Sequence, residues 1–147
     1  MEQNKTVMVV DDNPDIVTIV KTILEGKGYG VQSAYSGQEV FNLLSEQKPD
    51  LIVLDIMMPQ MDGLEVLTRL KGEPSTATIP VILLTAKVHH EDVLRGYKLG
   101  TDHYIKKPFD SGQLITGINF LLNRDKSHSE GSLDNVQHHN NWTRRVP

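Results

Sequence analysis

The sequence predicts a doubly wound α/β fold, a five-stranded parallel sheet of order 2-1-3-4-5 with five helices. Three observations carry this. Val7–Val10, Leu51–Leu54 and Val81–Leu84 are short, unbroken apolar runs, the mark of strands buried on both faces. Segments with helical apolar spacing stand between the runs. The connections are short, which implies right-handed crossovers and helices on both faces of the sheet.

Taken in order, Val7–Val10 is valine-rich and strand-favouring, and ends in Asp11 and Asp12. Asn13 can cap a helix, and Pro14 suits a first turn, where its missing N–H costs nothing. Ile16, Val17, Val20, Ile23 and Leu24 give that helix its apolar face, and Gly26 and Gly28 end it. Residues 29–35 read as a weaker, partly exposed strand. Ser36-Gly37-Gln38-Glu39 has the form of a capping box for a helix carrying Val40, Phe41, Leu43 and Leu44.

The run Leu51–Leu54 leads into Asp55 within the stretch PDLIVLDIMMP. Met61-Asp62-Gly63 reads as a turn, and Leu64, Leu67 and Leu70 as a third helix that breaks near Gly72 and Pro74. Pro80 introduces the strand Val81–Leu84, followed by Thr85-Ala86-Lys87. A helix from about His90 to Leu99 offers Val93, Leu94 and Tyr97 for packing, and Gly100 stops it. Asp102–Ile105 reads as a short strand. Asp110 or Ser111 can cap a last helix bearing Leu114, Ile115, Ile118, Leu121 and Leu122. The weaker strands near Val31 and Tyr104 suit the sheet edges, which matches flavodoxin-like folds.

Residues 1–124 therefore read as one domain. Residues 125–147 are polar, rich in Ser, Asn and His and without periodicity, and read as a tail, linker or expression remnant. Trp142 is the one large apolar anchor there, and His138-His139 is too small a set to define a metal site.

Composition narrows the function. The chain has 147 residues, no cysteine and a formal net charge of -4, which excludes thiol chemistry and gives no support to nucleic-acid binding through a basic surface. The N-terminal apolar run is too short for a signal peptide or a membrane span. The expectation is a soluble cytoplasmic protein.

In a parallel sheet every strand presents its carboxyl end at one edge, where ligands bind. That edge collects Asp11, Asp12, Asp55, Thr85 and Lys107. Taken singly, each has an ordinary reading: Asp55 as a turn cap, Asp11 or Asp12 as a helix cap, Thr85 as a strand end, Lys107 as a surface lysine. Together they form a constellation. Two carboxylates about 4 Å apart repel by roughly 4 kcal/mol at an effective dielectric of about 20, so three of them call for a cation. With no histidine or cysteine among them, a hard ion such as Mg²⁺ fits better than zinc. Carboxylate nucleophile, cation, lysine and hydroxyl make a phosphoryl-accepting site.

The ordered set VMVVDD, LIVLDIMMPQMDG, VILLTA and YIKKPF resembles the receiver domain of two-component response regulators, over roughly Lys5 to Arg124. The resemblance implies that Asp55 is the phosphoacceptor. It implies that Asp11 and Asp12 organise Mg²⁺ with Asp55 and the main-chain carbonyl of Met57, Asp12 being the more direct ligand of the acidic pair. Thr85 becomes the switch hydroxyl, Tyr104 the switch aromatic and Lys107 the family's lysine, with a cis bond to Pro108. Met57 and Lys87 occupy the places that tune hydrolysis of the aspartyl phosphate. The implied donor is a sensor histidine kinase or a histidine phosphotransfer protein. The implied response is a change in the α4-β5-α5 surface, read by a downstream protein target or by an output domain that the sequence does not include. A phosphorylation-dependent homodimer is a further partner state of the family. No direct contact with nucleic acid or membrane is expected.

Three other functions compete. An aspartate-nucleophile phosphatase of the haloacid dehalogenase type would place an acid at Met57. A flavin mononucleotide carrier would need a hydroxyl- and glycine-rich loop where Asp11-Asp12-Asn13-Pro14 stands. A docking module would work without phosphorylation.

Overall fold

The computed structural model describes residues 5–124. The proposed tail, with Trp142 and His138-His139, lies outside the described residues. The strands are β1 (Thr6–Val10), β2 (Gly30–Ala34), β3 (Leu51–Leu54), β4 (Val81–Thr85) and β5 (His103–Lys106). The helices are α1 (Pro14–Gly26), α2 (Gly37–Leu44), α3 (Gly63–Gly72), α4 (His90–Leu99) and α5 (residues 111–124). All strand pairs are parallel and the sheet order is β2-β1-β3-β4-β5, as expected.

Strand periodicity divides the core. Met8, Val10, Ile52, Leu54 and Leu83 point to one face and pack with Val40, Leu44, Leu64, Leu67 and Leu70 of α2 and α3. Val7, Val9, Leu51, Val53, Ile82 and Ile105 point to the other and pack with α1 and α5 through Val17, Val20, Leu24, Leu114 and Ile118. Alternation of side chains by two explains why the stretches Val7–Val10, Leu51–Leu54 and Val81–Leu84 carry no polar residue: both of their faces are covered.

The helix starts are capped largely as read. Asn13 accepts from the Asp15 N–H at 2.9 Å and Asp110 from Gly112 at 2.7 Å. Ser36 accepts from Glu39 N–H at 3.2 Å, but the Glu39 carboxylate reaches back to the Tyr35 N–H at 2.7 Å, one residue beyond the usual reciprocal partner. Asp62 is a cap within the expected turn, accepting from Glu65 N–H at 3.0 Å. Gly100, at φ 108, closes α4 in the left-handed conformation.

One expectation is corrected. Leu94 and Tyr97 of α4 do not join the core; they are 51% and 47% exposed, and Gly96 is the buried residue of that helix. The backbone of α4 approaches the sheet so closely at Gly96 that its larger side chains flank the contact.

At the amino ends of the strands, aspartates do structural work. Asp50 accepts from the Thr6 N–H at 2.8 Å and Asp102 from the Val81 N–H at 2.9 Å, satisfying strand-start donors. Asp102 also pairs with Lys71 at 3.6 Å and Arg124 at 3.4 Å.

Candidate functional site

The opposite edge is built by the ladder itself. Val10 pairs in register with Leu54, so the residues that follow, Asp11 and Asp55, stand side by side. One further backbone bond fixes each: Asp11 N–H to Ala34 C=O at 3.2 Å, and Asp55 N–H to Val10 C=O at 3.0 Å. Lys107 is placed the same way, its N–H donating to Thr85 C=O at 3.0 Å.

Asp11 and Asp55 are buried, only 3% and 5% exposed. The Lys107 Nζ bridges them, donating to Asp11 Oδ2 at 2.6 Å and Asp55 Oδ2 at 3.1 Å. The remaining oxygens face their own loops. Asp11 Oδ1 accepts from Asn13 N–H at 3.0 Å, and Asp55 Oδ1 from Met57 N–H at 3.1 Å. Asp12 is exposed, and Asp11, Asp12 and Asp55 each bring a carboxylate oxygen within 4.8 Å of the others.

Charge is therefore in surplus. Burial, and next to it the Asp55 charge, push the Asp11 carboxyl above its ordinary 3.8, against the Lys107 and Asn13 hydrogen bonds that pull it down. Burial works against the Lys107 ammonium, yet the Asp11 hydrogen bond and the two carboxylate charges hold its pKa above the ordinary 10.5. Both directions follow from two buried acids sharing one cation. An oxygen-only donor set with uncompensated negative charge suits a hard divalent ion, so the cluster could hold a metal.

Thr85 closes β4 fully buried, and its Oγ1 accepts from the Lys87 N–H at 3.2 Å. Tyr104 lies on β5 with its hydroxyl donating to the Lys87 carbonyl. Its ring stands 6.3 Å from that of Tyr97, and its pKa is pushed up to about 12, first by burial and then by Asp92 and Asp55. Lys87 thus joins Thr85 to Tyr104. The Lys107–Pro108 bond is cis, as expected. The Met57 side chain is 56% exposed, while its N–H donates to Asp55. Ile56, Met57, Met58, Asp62, Leu64, Lys87 and Arg95 line a neighbouring groove of about 430 Å³.

Two residues that shape the site escaped the sequence reading. Asn13 supplies a backbone donor to Asp11 beyond its role as a cap. Gly63 sits at the start of α3, where a Cβ would fall 2.1 Å from the Asp55 carbonyl oxygen. The signal was present in Asp62-Gly63, but a turn reading does not reveal what the turn packs against.

The chain matches the family model of the response regulator receiver domain over residues 7–119. It is 39% identical over 123 residues to the alkaline phosphatase synthesis transcriptional regulatory protein PhoP of Bacillus subtilis, covering 84% of this chain and 50% of that protein. It is 42% identical over 129 residues to the response regulator SaeR of Staphylococcus aureus, covering 88% and 55%. The chain thus spans about half the length of these curated relatives. Among solved structures, the receiver domain of the Francisella response regulator 1452 superimposes with a TM-score of 0.76 at 36% identity, over 83% of this chain and 99% of that one. The CheY-like receiver domain protein of Methanospirillum hungatei gives 0.78 at 28% identity, over 86% and 99%. No helix among the described residues is long and apolar enough to cross a membrane. With five parallel strands in this order and the acids, hydroxyl and lysine gathered at one edge, the chain belongs to the response regulator receiver domain family.

Proposed function

We propose that this chain is a phosphorylation-activated switch whose acceptor is Asp55. The observation that carries this is the Lys107 ammonium held between Asp11 and Asp55 at a sheet edge. A carboxylate so placed is shielded from water and lies beside a cation that can also hold a phosphoryl oxygen. Asp11, Asp12, Asp55 and the Met57 main-chain carbonyl would hold Mg²⁺, which supplies charge neutralisation on the phosphoryl oxygens when bound.

The donor is a phosphohistidine of a sensor histidine kinase or a phosphotransfer protein. An Asp55 carboxylate oxygen attacks phosphorus in line. The new O–P bond forms as the P–N bond breaks, and the electron pair leaves with the imidazole nitrogen. Lys107 holds the phosphoryl oxygens, and the Thr85 hydroxyl turns toward them. Because Lys87 links Thr85 to Tyr104, this movement changes how the tyrosine is held, and with it the α4-β5-α5 surface. That surface is read by a downstream protein target, an output domain or a second copy of the chain. Residues 1–124 form the switch and 125–147 a polar tail. Apart from accepting and losing its own phosphoryl group, the domain turns over no substrate.

The test is acetyl phosphate with Mg²⁺, read by intact mass. The wild type gains one phosphoryl group; Asp55→Asn does not. A gain that survives the substitution, or none in either protein, overturns the assignment.

A further inference from the structure

Helix α4 meets the sheet through a residue with no side chain. A Cβ built on Gly96 would stand 2.9 Å from Leu83 Cδ1 and 3.2 Å from Tyr104 Cε2. The helix backbone therefore rides on β4 and β5, with one edge of the Tyr104 ring against it. Tyr97 faces the same ring from the next position. The far end of the phenol donates to the Lys87 carbonyl, and the Lys87 N–H donates to Thr85 Oγ1. Contacts run unbroken from Gly96 through Tyr104 and Lys87 to Thr85.

We propose that Gly96 is a positioning residue for the switch: its missing side chain makes the slot in which Tyr104 turns inward and tethers the β4–α4 loop, and so governs how fast Asp55 accepts a phosphoryl group. This rests on the receiver reading above. An added methyl meets two atoms that differ in freedom. Leu83 Cδ1 is the far end of a flexible side chain, fully buried, and has only to give by a fraction of an ångström. The Tyr104 ring is partly exposed and yields outward, which draws its hydroxyl from the Lys87 carbonyl. Hydrogen bonds weaken steeply with such displacement. Alanine is also the better helix former, so the same change strengthens α4 locally. Switching and stability therefore part company, whereas a glycine kept only for packing would make both fall together.

The experiment uses the full chain labelled with 3-fluorotyrosine, which has four tyrosines, and follows ¹⁹F resonances beside acetyl phosphate labelling with Mg²⁺. Gly96→Ala is expected to slow labelling of Asp55 about fivefold, the scale of one neutral hydrogen bond. It should move the Tyr104 resonance and leave the melting temperature unchanged or higher. In a Tyr104→Ala background the same change at Gly96 should have no further effect on rate. If Gly96→Ala does not fold, Gly96→Ala with Leu83→Val withdraws the Leu83 methyl, keeps the contact with the ring and reads the same quantity. An unchanged rate, or the same slowing in the Tyr104→Ala background, overturns the proposal alone. An Asp55 that stays unmodified in the wild type overturns the receiver reading, and this proposal with it.

Discussion

Replacing Lys107 with methionine keeps most of the side chain's bulk and removes the one cation shared by two buried acids. At an effective dielectric of about 20, the contacts of 2.6 Å and 3.1 Å correspond to attractions of roughly 6 and 5 kcal/mol. The protein does not lose that much, because a carboxylate can take up a proton instead. Starting from the ordinary carboxyl value of 3.8, protonation at pH 7 costs about 4.4 kcal/mol, which caps the electrostatic loss. The expected destabilisation at pH 7 is about 3–4 kcal/mol, in the range for breaking a buried pair. At pH 5 the cap falls to about 1.6 kcal/mol, so the deficit should shrink by more than half. The sign follows from linkage. A carboxyl whose folded pKa is raised binds more protons folded than unfolded, so stability falls as pH rises from the ordinary value toward the folded one. Lysine itself stays charged across this window, since its contribution is lost only as pH rises through a folded pKa above 10.5. A divalent cation supplies the missing charge, so millimolar Mg²⁺ should recover much of the deficit. The assay is urea unfolding of wild type and Lys107→Met at pH 5 and 7, in EDTA and in Mg²⁺. A deficit independent of pH and untouched by Mg²⁺ would refute the two-acids-one-cation account.

In EDTA, the wild type should lose stability as pH climbs above 3.8 because the Asp11 carboxyl is raised, and Asp11→Asn should flatten that slope in thermal melts. Gly63→Ala forces a Cβ onto the Asp55 carbonyl, so the β3–α3 loop must shift; a loss of about 2–3 kcal/mol and slower acetyl phosphate labelling are expected, read by urea unfolding and intact mass. Tyr29→Phe removes the 2.5 Å bond from the Tyr29 hydroxyl to Asn119 Oδ1, which ties α5 to the start of β2, and should cost about 1 kcal/mol in unfolding without altering labelling of Asp55.

The fold was legible because each of its strongest signals is local. Unbroken apolar runs mark strands covered on both faces, and Asn13, Ser36, Asp62 and Asp110 sit where helix donors need acceptors. The acids and the lysine were legible for a topological reason: a parallel sheet delivers every strand end to one edge, so no contact had to be guessed. Distances between elements were not legible. Leu94 and Tyr97 looked like a packing face by spacing, but spacing does not say how near a helix lies to its sheet. With Gly96 at the contact, α4 comes so close that its larger side chains flank the interface. Gly63 is the same case on a loop, since a glycine announces freedom and not the carbonyl it must clear.

The two edges of the sheet show why residue type alone could not assign function. Asp50 and Asp102 at the amino edge, and Asp11 and Asp55 at the carboxyl edge, all flank strands. At the amino edge the first residues of Thr6–Val10 and Val81–Thr85 present N–H groups without a partner, and a carboxylate there answers a donor and becomes structural. At the carboxyl edge the ladder's N–H groups are already spent, Asp55 on Val10 and Asp11 on Ala34. There one oxygen of each acid accepts a loop N–H, from Asn13 or Met57, while the other oxygens converge on Lys107, and two acids facing each other across adjacent strands repel. Lys107 relieves part of that repulsion, and the oxygen donors left over suit a hard cation. The polarity of a parallel sheet thus sorts identical aspartates into braces at one end and a charged cluster, the proposed acceptor site, at the other.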